Sequence, residues 1–521
     1  MFFLRKQILI ILVFILIPLV SIPLSEHNNF QEINDADTSS RFSETKEKLS
    51  SISVNPTISL TYAAQDYVGL TEDLWENNLT GKDITVAVLD TGIYPNHSVF
   101  TDNGFNNWSK RIIAFYDDAI NNVSDPPYDI QWHGTWASSI LGGNSTEYIG
   151  VAPEVNYVIL KLFYREGTEY VTTLPILENG VNWILNYNRD NPNNSIKVVS
   201  MSFGVKPTSA ILPYIDTMNT IVERLSEEGI LVVAAAGNDG GDPSNGGIGT
   251  INAPASAKSV LAVGGVDYEG EMYYFSSKGP THEGVIKPDV CAPAVNIYGA
   301  YPNEPPFDFV YATGTSASTP FVAGLAALML EKNPYLTPPQ LKNIISLTSL
   351  RTINTQTIKD NIQGWGIVQG YAIMDALRKP ILITQKTEFS ISLNENESVF
   401  CLPIKLEPNH YFFELEQLNS TTAEMYIFDA EPDHFGNPNL ISNSINSFTL
   451  KKRMGIFTSK INNYFLLVKL QERSSGDFII RLIFENRIVI VIILFTINLI
   501  GLVYVVELLF NFKKMDSRRI N

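Results

Sequence analysis

Cysteine is almost absent: the 521-residue chain has two, Cys291 and Cys401. Two thiols so far apart exclude a disulfide-framed small domain and a cysteine-built zinc cluster. Two readings remain, a bridge between domains or two unpaired buried thiols. The second is preferred, because free cysteine behaves as a small buried hydrophobe. Positive charge is also short: 37 Lys and Arg stand against 54 Asp and Glu, a formal net charge of −17. That balance argues against nucleic acid or an anionic membrane surface as partner. Histidine is limited to six residues. No internal repeat and no low-complexity tract is present.

What is plentiful is apolar: 45% of the residues are hydrophobic. Two runs account for the excess. Ile8 to Val20 follows Arg5 and Lys6 and precedes Ser21, Pro23 and Ser25, the pattern of a signal peptide over residues 1–25; a permanent N-terminal anchor is the alternative. The second run covers residues 488–510, roughly 23 residues, long enough for a hydrocarbon core of about 30 Å. Asn498 and Glu507 interrupt it, and Lys513, Lys514, Arg518 and Arg519 follow. Basic residues on that flank place the tail, 511–521, in the cytoplasm and everything earlier outside. Eight Asn-x-Ser/Thr sequons agree with an extracellular location. The expectation is a single-pass protein of the cell membrane.

Between the two runs the texture changes twice. Residues 26–60 are polar and predict a linker or short pro-region. Residues 61–378 alternate short, continuously apolar strands (Ile84–Leu89, Val155–Leu162, Val198–Ser202, Leu231–Ala235, Val260–Val263) with helical patterns. The helices expected are Gly134–Leu141, Leu174–Tyr187, Ala210–Glu228, Thr319–Lys332 and Pro338–Leu347. This alternation predicts an α/β fold, a three-layer α/β/α with a mostly parallel sheet. Residues 383–485 show strands broken by Asn, Pro and Gly, and predict a small all-β sandwich.

Four short motifs carry chemical potential. Val86-Ala-Val-Leu-Asp-Thr-Gly92 is a strand ending in a carboxylate, Asp90. His133-Gly-Thr135 opens a small-residue helix, and a glycine after the histidine admits close backbone approach. Leu231-Val-Val-Ala-Ala-Ala-Gly-Asn238 ends a buried strand in an amide. Gly314-Thr-Ser-Ala-Ser-Thr-Pro320 puts Ser316 near a helix N-terminus, where negative charge is favoured. Each alone is an ordinary strand end or cap. In the order Asp90, His133, Asn238, Ser316 they resemble the subtilisin-like (subtilase) serine protease family over roughly residues 60–377. Gly150-Val-Ala-Pro153, Val199-Ser-Met-Ser-Phe-Gly204, Phe275-Ser-Ser-Lys-Gly279, Lys287-Pro-Asp-Val-Cys-Ala-Pro293 and Gly364-Trp-Gly-Ile-Val368 add to the resemblance.

The resemblance implies a serine endopeptidase with protein or peptide substrates. Ser316 would be the nucleophile, His133 the general base, Asp90 its orienting partner and Asn238 the oxyanion donor. Ser202, Phe203 and Gly204 would pair with extended substrate, and Asn252 would lie at the base of the primary specificity pocket. No cofactor is required; structural calcium is compatible with the family, with no ligands assignable. Departures are Trp136 and Phe321 where the family has histidine, Ala317-Ser318 for Met-Ala, Asn252 for a small residue, and a short pro-region. A silent ectodomain used for adhesion is the competing reading; such a protein is expected to lose one of the four catalytic positions, and all four are present. Asn463-Tyr-Phe-Leu-Leu-Val-Lys469 and Ser475-Gly-Asp-Phe-Ile-Ile-Arg-Leu482 weakly resemble pre-peptidase C-terminal domains.

Overall fold

The computed structural model describes residues 31–32, 79–101, 109–119, 127–242, 246–302, 308–352, 358–394, 397–419, 421–444, 451–471 and 475–485. The expected signal peptide (1–25), most of the polar segment, and the run 488–510 with its basic tail lie outside these residues. Among the described residues, no helix is long and apolar enough to cross a membrane.

The first unit is built on seven strands: β1 (Thr85–Asp90), β2 (Ile112–Asp117), β3 (Asn156–Lys161), β4 (Ile196–Met201), β5 (Leu231–Ala235), β6 (Leu261–Val266) and β7 (Val290–Pro293). Their order is β7-β6-β5-β4-β1-β3-β2, and all neighbours are parallel. Strands β1, β5, β6 and β7 are buried along their whole length, which is why they read as continuous apolar runs rather than alternating ones. The order turns at β1: the chain fills the β3–β2 side first and then returns to build β4 to β7. Ligands of open parallel sheets gather at such a switch point, outside the carboxyl ends of the strands.

Helices α1 (His133–Gly142), α2 (Leu174–Asp190), α3 (Leu212–Glu227), α4 (Thr315–Lys332), α5 (Pro338–Thr348) and α6 (Gly370–Ala376) complete the layers. On one face Leu177, Val181, Ile184, Ile215, Val222 and Leu225 of α2 and α3 pack on Val199, Val232 and Ala262. On the other, α1 and α4 form the core with Val86, Val233 and Val263. From Ala317 to Leu330 helix α4 is buried on all sides, as the apolar run 321–330 requires. It starts at Thr315 rather than at Thr319, so Pro320 falls inside the helix instead of at its first turn.

The second unit is a pair of five-stranded sheets. Strands β8 (Thr387–Leu393), β9 (Val399–Leu406), β10 (Asn409–Gln417), β11 (Ala423–Asp429), β12 (Leu440–Asn443), β13 (Lys451–Thr458), β14 (Asn462–Leu470) and β15 (Gly476–Glu485) form it. One sheet runs β8-β15-β10-β13 with Gln31–Glu32 on the β8 edge; the other runs β9-β14-β11-β12 with Ile381–Leu382 on the β9 edge. Phe413, Leu415, Met454, Phe478 and Ile480 face Ile404, Met425, Ile427, Leu466 and Val468 across the interior. The outer side of the second sheet is also covered: Val399, Cys401, Tyr426, Phe428, Phe465 and Leu467 join the core of the first unit. Lys469 Nζ donates to the Ser349 carbonyl at 2.6 Å across this junction. Both cysteines are free and buried, Cys291 in β7 and Cys401 in β9, which settles the two readings in favour of unpaired thiols.

Candidate active site

Asp90 is the last residue of β1, almost wholly buried. His133 opens α1, and its Nδ1 lies 2.8 Å and 3.0 Å from the two Asp90 carboxylate oxygens. The close approach depends on Gly134: a Cβ there would meet the Gly92 carbonyl oxygen at 2.2 Å. A second carboxylate organises the loop before the helix. Asp129 accepts from Thr91 Oγ1 at 2.8 Å and from the Gln131 amide at 2.9 Å, and its other oxygen accepts from Thr135 N–H at 2.9 Å. Thr91 Oγ1 in turn accepts from the Gly134 amide at 2.9 Å. Burial opposes protonation of His133, yet the charge and hydrogen bond of Asp90, with the charge of Asp129, outweigh it and raise its pKa above the ordinary histidine value.

Ser316 sits in the first turn of α4. Its hydroxyl donates to the Ser202 carbonyl at 2.9 Å, and the Ser202 hydroxyl donates back to the Ser316 carbonyl at 3.0 Å. Among the described residues, no hydrogen bond joins Ser316 to His133. The serine is held in a rotamer that a turn about χ1 would change. Ser202 follows β4 directly, so the carboxyl ends of β1 and β4, adjacent strands, present these groups side by side.

Asn238 follows β5 and Gly237. Its Oδ1 accepts from the Thr315 amide at 3.0 Å and from Thr315 Oγ1 at 3.2 Å. With the oxygen so engaged, Nδ2 is the end of the amide left to donate. Thr315 Oγ1 also accepts from the Gly237 amide at 3.2 Å, fixing both ends of this contact. Gly314, with φ of 156°, packs against Asn238; a Cβ would stand 3.2 Å from Nδ2.

Asn252 is buried, with 7% exposure, and among the described residues its Oδ1 has no hydrogen-bond partner. Its amide lies against Gly237 and its Cβ against Gly204. The segment Ser202-Phe203-Gly204 leaves β4 beside it, with Phe203 edge-on to Phe163 at 5.4 Å. Val205 bridges to Ala253 in antiparallel fashion. Trp136, Ala317 and Phe321, where the sequence departs from the resembled family, are core residues, each at most 1% exposed. Trp136 packs beside the His133 ring at 5.8 Å and donates to the Ile297 carbonyl at 3.3 Å.

The structure therefore joins Asp90 to His133, Ser316 to Ser202, Asn238 to the residue before Ser316, and Asn252 to Gly204 and Gly237, with Asp90, Ser202 and Asn238 at or just past the carboxyl ends of β1, β4 and β5. Sequence reasoning missed Asp129 and Thr315, which act through contacts that no local pattern announces. Thr315 lies next to Ser316 in a quoted motif; its hydroxyl was the available signal. For a metal, the described residues hold one group with suitable spacing, Asp216, His282 and Glu283, all at the surface. His282 is bonded to Asp216 at 2.7 Å and Glu283 is paired with Lys258 at 2.9 Å. Calcium prefers oxygen ligands only, and this set does not fit it.

Residues 81–366 match the subtilase family; the match does not reach the β-sandwich. Serine protease AprX of Bacillus subtilis (strain 168) is 35% identical over 289 residues, 51% of this chain and 61% of that protein. Subtilisin DY of Bacillus licheniformis is 32% identical over 273 residues, 52% of this chain and 84% of that protein. Among solved structures, the prenylagaramide maturation protease PagA is similar at 24% identity with a TM-score of 0.46, over 59% of this chain and 98% of that one.

Proposed function

This chain belongs to the subtilase family, and from that premise we propose that it is a serine endopeptidase tethered to the outer face of a cell membrane. The observation that supports the reading is a carboxylate–imidazole pair, Asp90 and His133 at 2.8 Å, at the end of β1, beside the end of β4 where Ser202 holds Ser316, with the amide of Asn238 oriented by Thr315. Substrate lies extended along Ser202-Phe203-Gly204, with main-chain pairing of the kind an exposed strand edge offers. Its carbonyl carbon faces Ser316. Rotation of χ1 moves the hydroxyl from the Ser202 carbonyl to His133 Nε2, which takes the proton as the oxygen attacks. Asp90 holds Nδ1–H and stabilises the imidazolium. The oxyanion accepts from Asn238 Nδ2 and the Ser316 amide. His133 then hands its proton to the leaving amine. Water deacylates the enzyme by the same route. Asn252 shapes the pocket that takes the side chain before the scissile bond.

The tether is residues 488–510, and 1–25 is the export signal. A fluorophosphonate probe tests the enzyme: labelling of the full chain, absent in Ser316→Ala, supports it. A correctly folded, processed protein that never labels would sink it. A chain ending at Asn486 is expected in the medium; retention with membranes would move the anchor to the N-terminal run.

A further inference from the structure

We propose that one end of the β-sandwich rests on the bilayer surface and fixes how the protease unit stands above it; this rests on the reading of residues 488–510 as a membrane anchor. Strand β15 finishes at Glu485, and Asn486 and Arg487 alone separate it from Ile488. Three residue steps span roughly 10 Å at full extension. Whatever else sits at that end of the sandwich is therefore close to the headgroups.

The strand registers say what else is there. Glu485 pairs with His410, and His410 pairs with Phe457 on its other side. Leu406 pairs with Asn462, and Leu382 with Lys405. The same end thus carries Phe457, Ile461 and Leu382, which are 63%, 56% and 45% exposed. Lys405 and Lys460 are exposed beside them. Exposed apolar side chains with flanking lysines suit an interface, where the rings and alkyl groups enter the acyl boundary and the ammonium groups meet phosphate. Glu407 is exposed in the neighbouring turn, so a zwitterionic headgroup, not a strongly anionic one, is the partner. The outer face of the same sheet is different in kind. Away from this end it is an ionic ladder, with Arg481 paired to Glu388 and Glu416, and Lys451 to Glu414 at 3.2 Å. Leu418, Phe435 and Ile441 of this unit are exposed as well, but Phe457, Ile461 and Leu382 gather with Lys405 and Lys460 at the end from which the chain leaves.

The test uses the full chain in phosphatidylcholine vesicles. Both native thiols are buried, so a cysteine introduced by Ile461→Cys takes a fluorophore alone. Leu418→Cys is the control, equally exposed at 56% but just past the opposite end of β10. Quenching by a lipid nitroxide near the headgroup is expected to be at least threefold stronger at position 461 than at 418. Equal, weak quenching at both sites in a chain that resists carbonate extraction would overturn the inference and leave the anchor standing. Extraction by carbonate would overturn both. A label at 461 shielded from lipid and aqueous quenchers alike, in a chain that cross-links as a dimer, would show that a second copy covers this end and would overturn the inference too.

Discussion

The Ser202 hydroxyl donates to the Ser316 carbonyl at 3.0 Å, and Pro320 is the reason that carbonyl is free. A helical carbonyl normally accepts from the amide four residues on; proline has none to give. The orphaned acceptor inside α4 is thus used to tie the nucleophile's backbone to the end of β4. Replacing Ser202 by alanine removes this bond and keeps the Ser202 carbonyl. A neutral hydrogen bond contributes about 0.5–1.5 kcal/mol, so kcat is expected to fall about 2- to 13-fold. Steady-state kinetics on a peptide substrate would show it; an unchanged kcat would mean the bond does not position Ser316.

The pH profile follows from His133. Catalysis needs the neutral imidazole, so activity falls as pH drops through its pKa, and the raised value places the acid limb of kcat/KM above about 6.5. Asp90→Asn takes away the charge and leaves the burial, which lowers the pKa. The acid limb should move to lower pH while kcat falls by about 10⁴, the size of this change in other triads. An acid limb that stays in place in Asp90→Asn would show that another group controls it.

Thr315 is expected to matter through Asn238. Asn238→Ala removes the donor itself, for which a loss of about 10²–10³ in kcat is expected, a range set by this family's own oxyanion asparagine. Thr315→Val retains the backbone amide bond to Oδ1 and deletes the hydroxyl contacts to Asn238 and Gly237. Its kcat should fall about tenfold or less, with KM little changed, because the ground state does not use the oxyanion contact. A change confined to KM would place Thr315 in substrate binding instead.

The sequence made the strand ends legible because each is a short apolar run stopped by a polar residue: Asp90, Asn238 and the Ser202 segment all follow that rule. It made β2 and β7 hard to see. Ile112–Asp117 is an edge strand with Ile113 and Ala114 half-buried, and Val290–Pro293 ends in proline. Strands β10 and β13 alternate buried with exposed or half-buried positions along an ion-paired face, so neither reads as an apolar run. The start of α4, Thr315, differs from the expected Thr319 for a clear reason. Proline is expected in a helix's first turn, which puts the start at Thr319; the partner that makes an internal Pro320 tolerable, Ser202, lies 114 residues away from Ser316 in the chain. Asp129 and Thr315 escaped for the same reason, since their roles exist only in the folded contacts.

A last prediction concerns stability. Asp118, just past β2, is 3% exposed, and among the described residues neither carboxylate oxygen has a hydrogen-bond partner. Burial raises its pKa from 3.8 to about 7; the Gly180 amide opposes this without reaching bonding geometry, and the Asp117 charge adds to it. The folded state therefore holds a proton that the unfolded state releases. Between about pH 4 and 7 the native chain binds more protons, so stability falls as pH rises across that window and stays lowered above it. Asp118→Asn removes the ionisation with little change of shape. Its melting temperature should match that of the parent near pH 4 and exceed it by several degrees at pH 8, a difference on the order of 2–4 kcal/mol at most. Calorimetry of both chains in a Ser316→Ala background, which prevents self-digestion, would read this directly. A gap independent of pH would show that Asp118 does not titrate in this window.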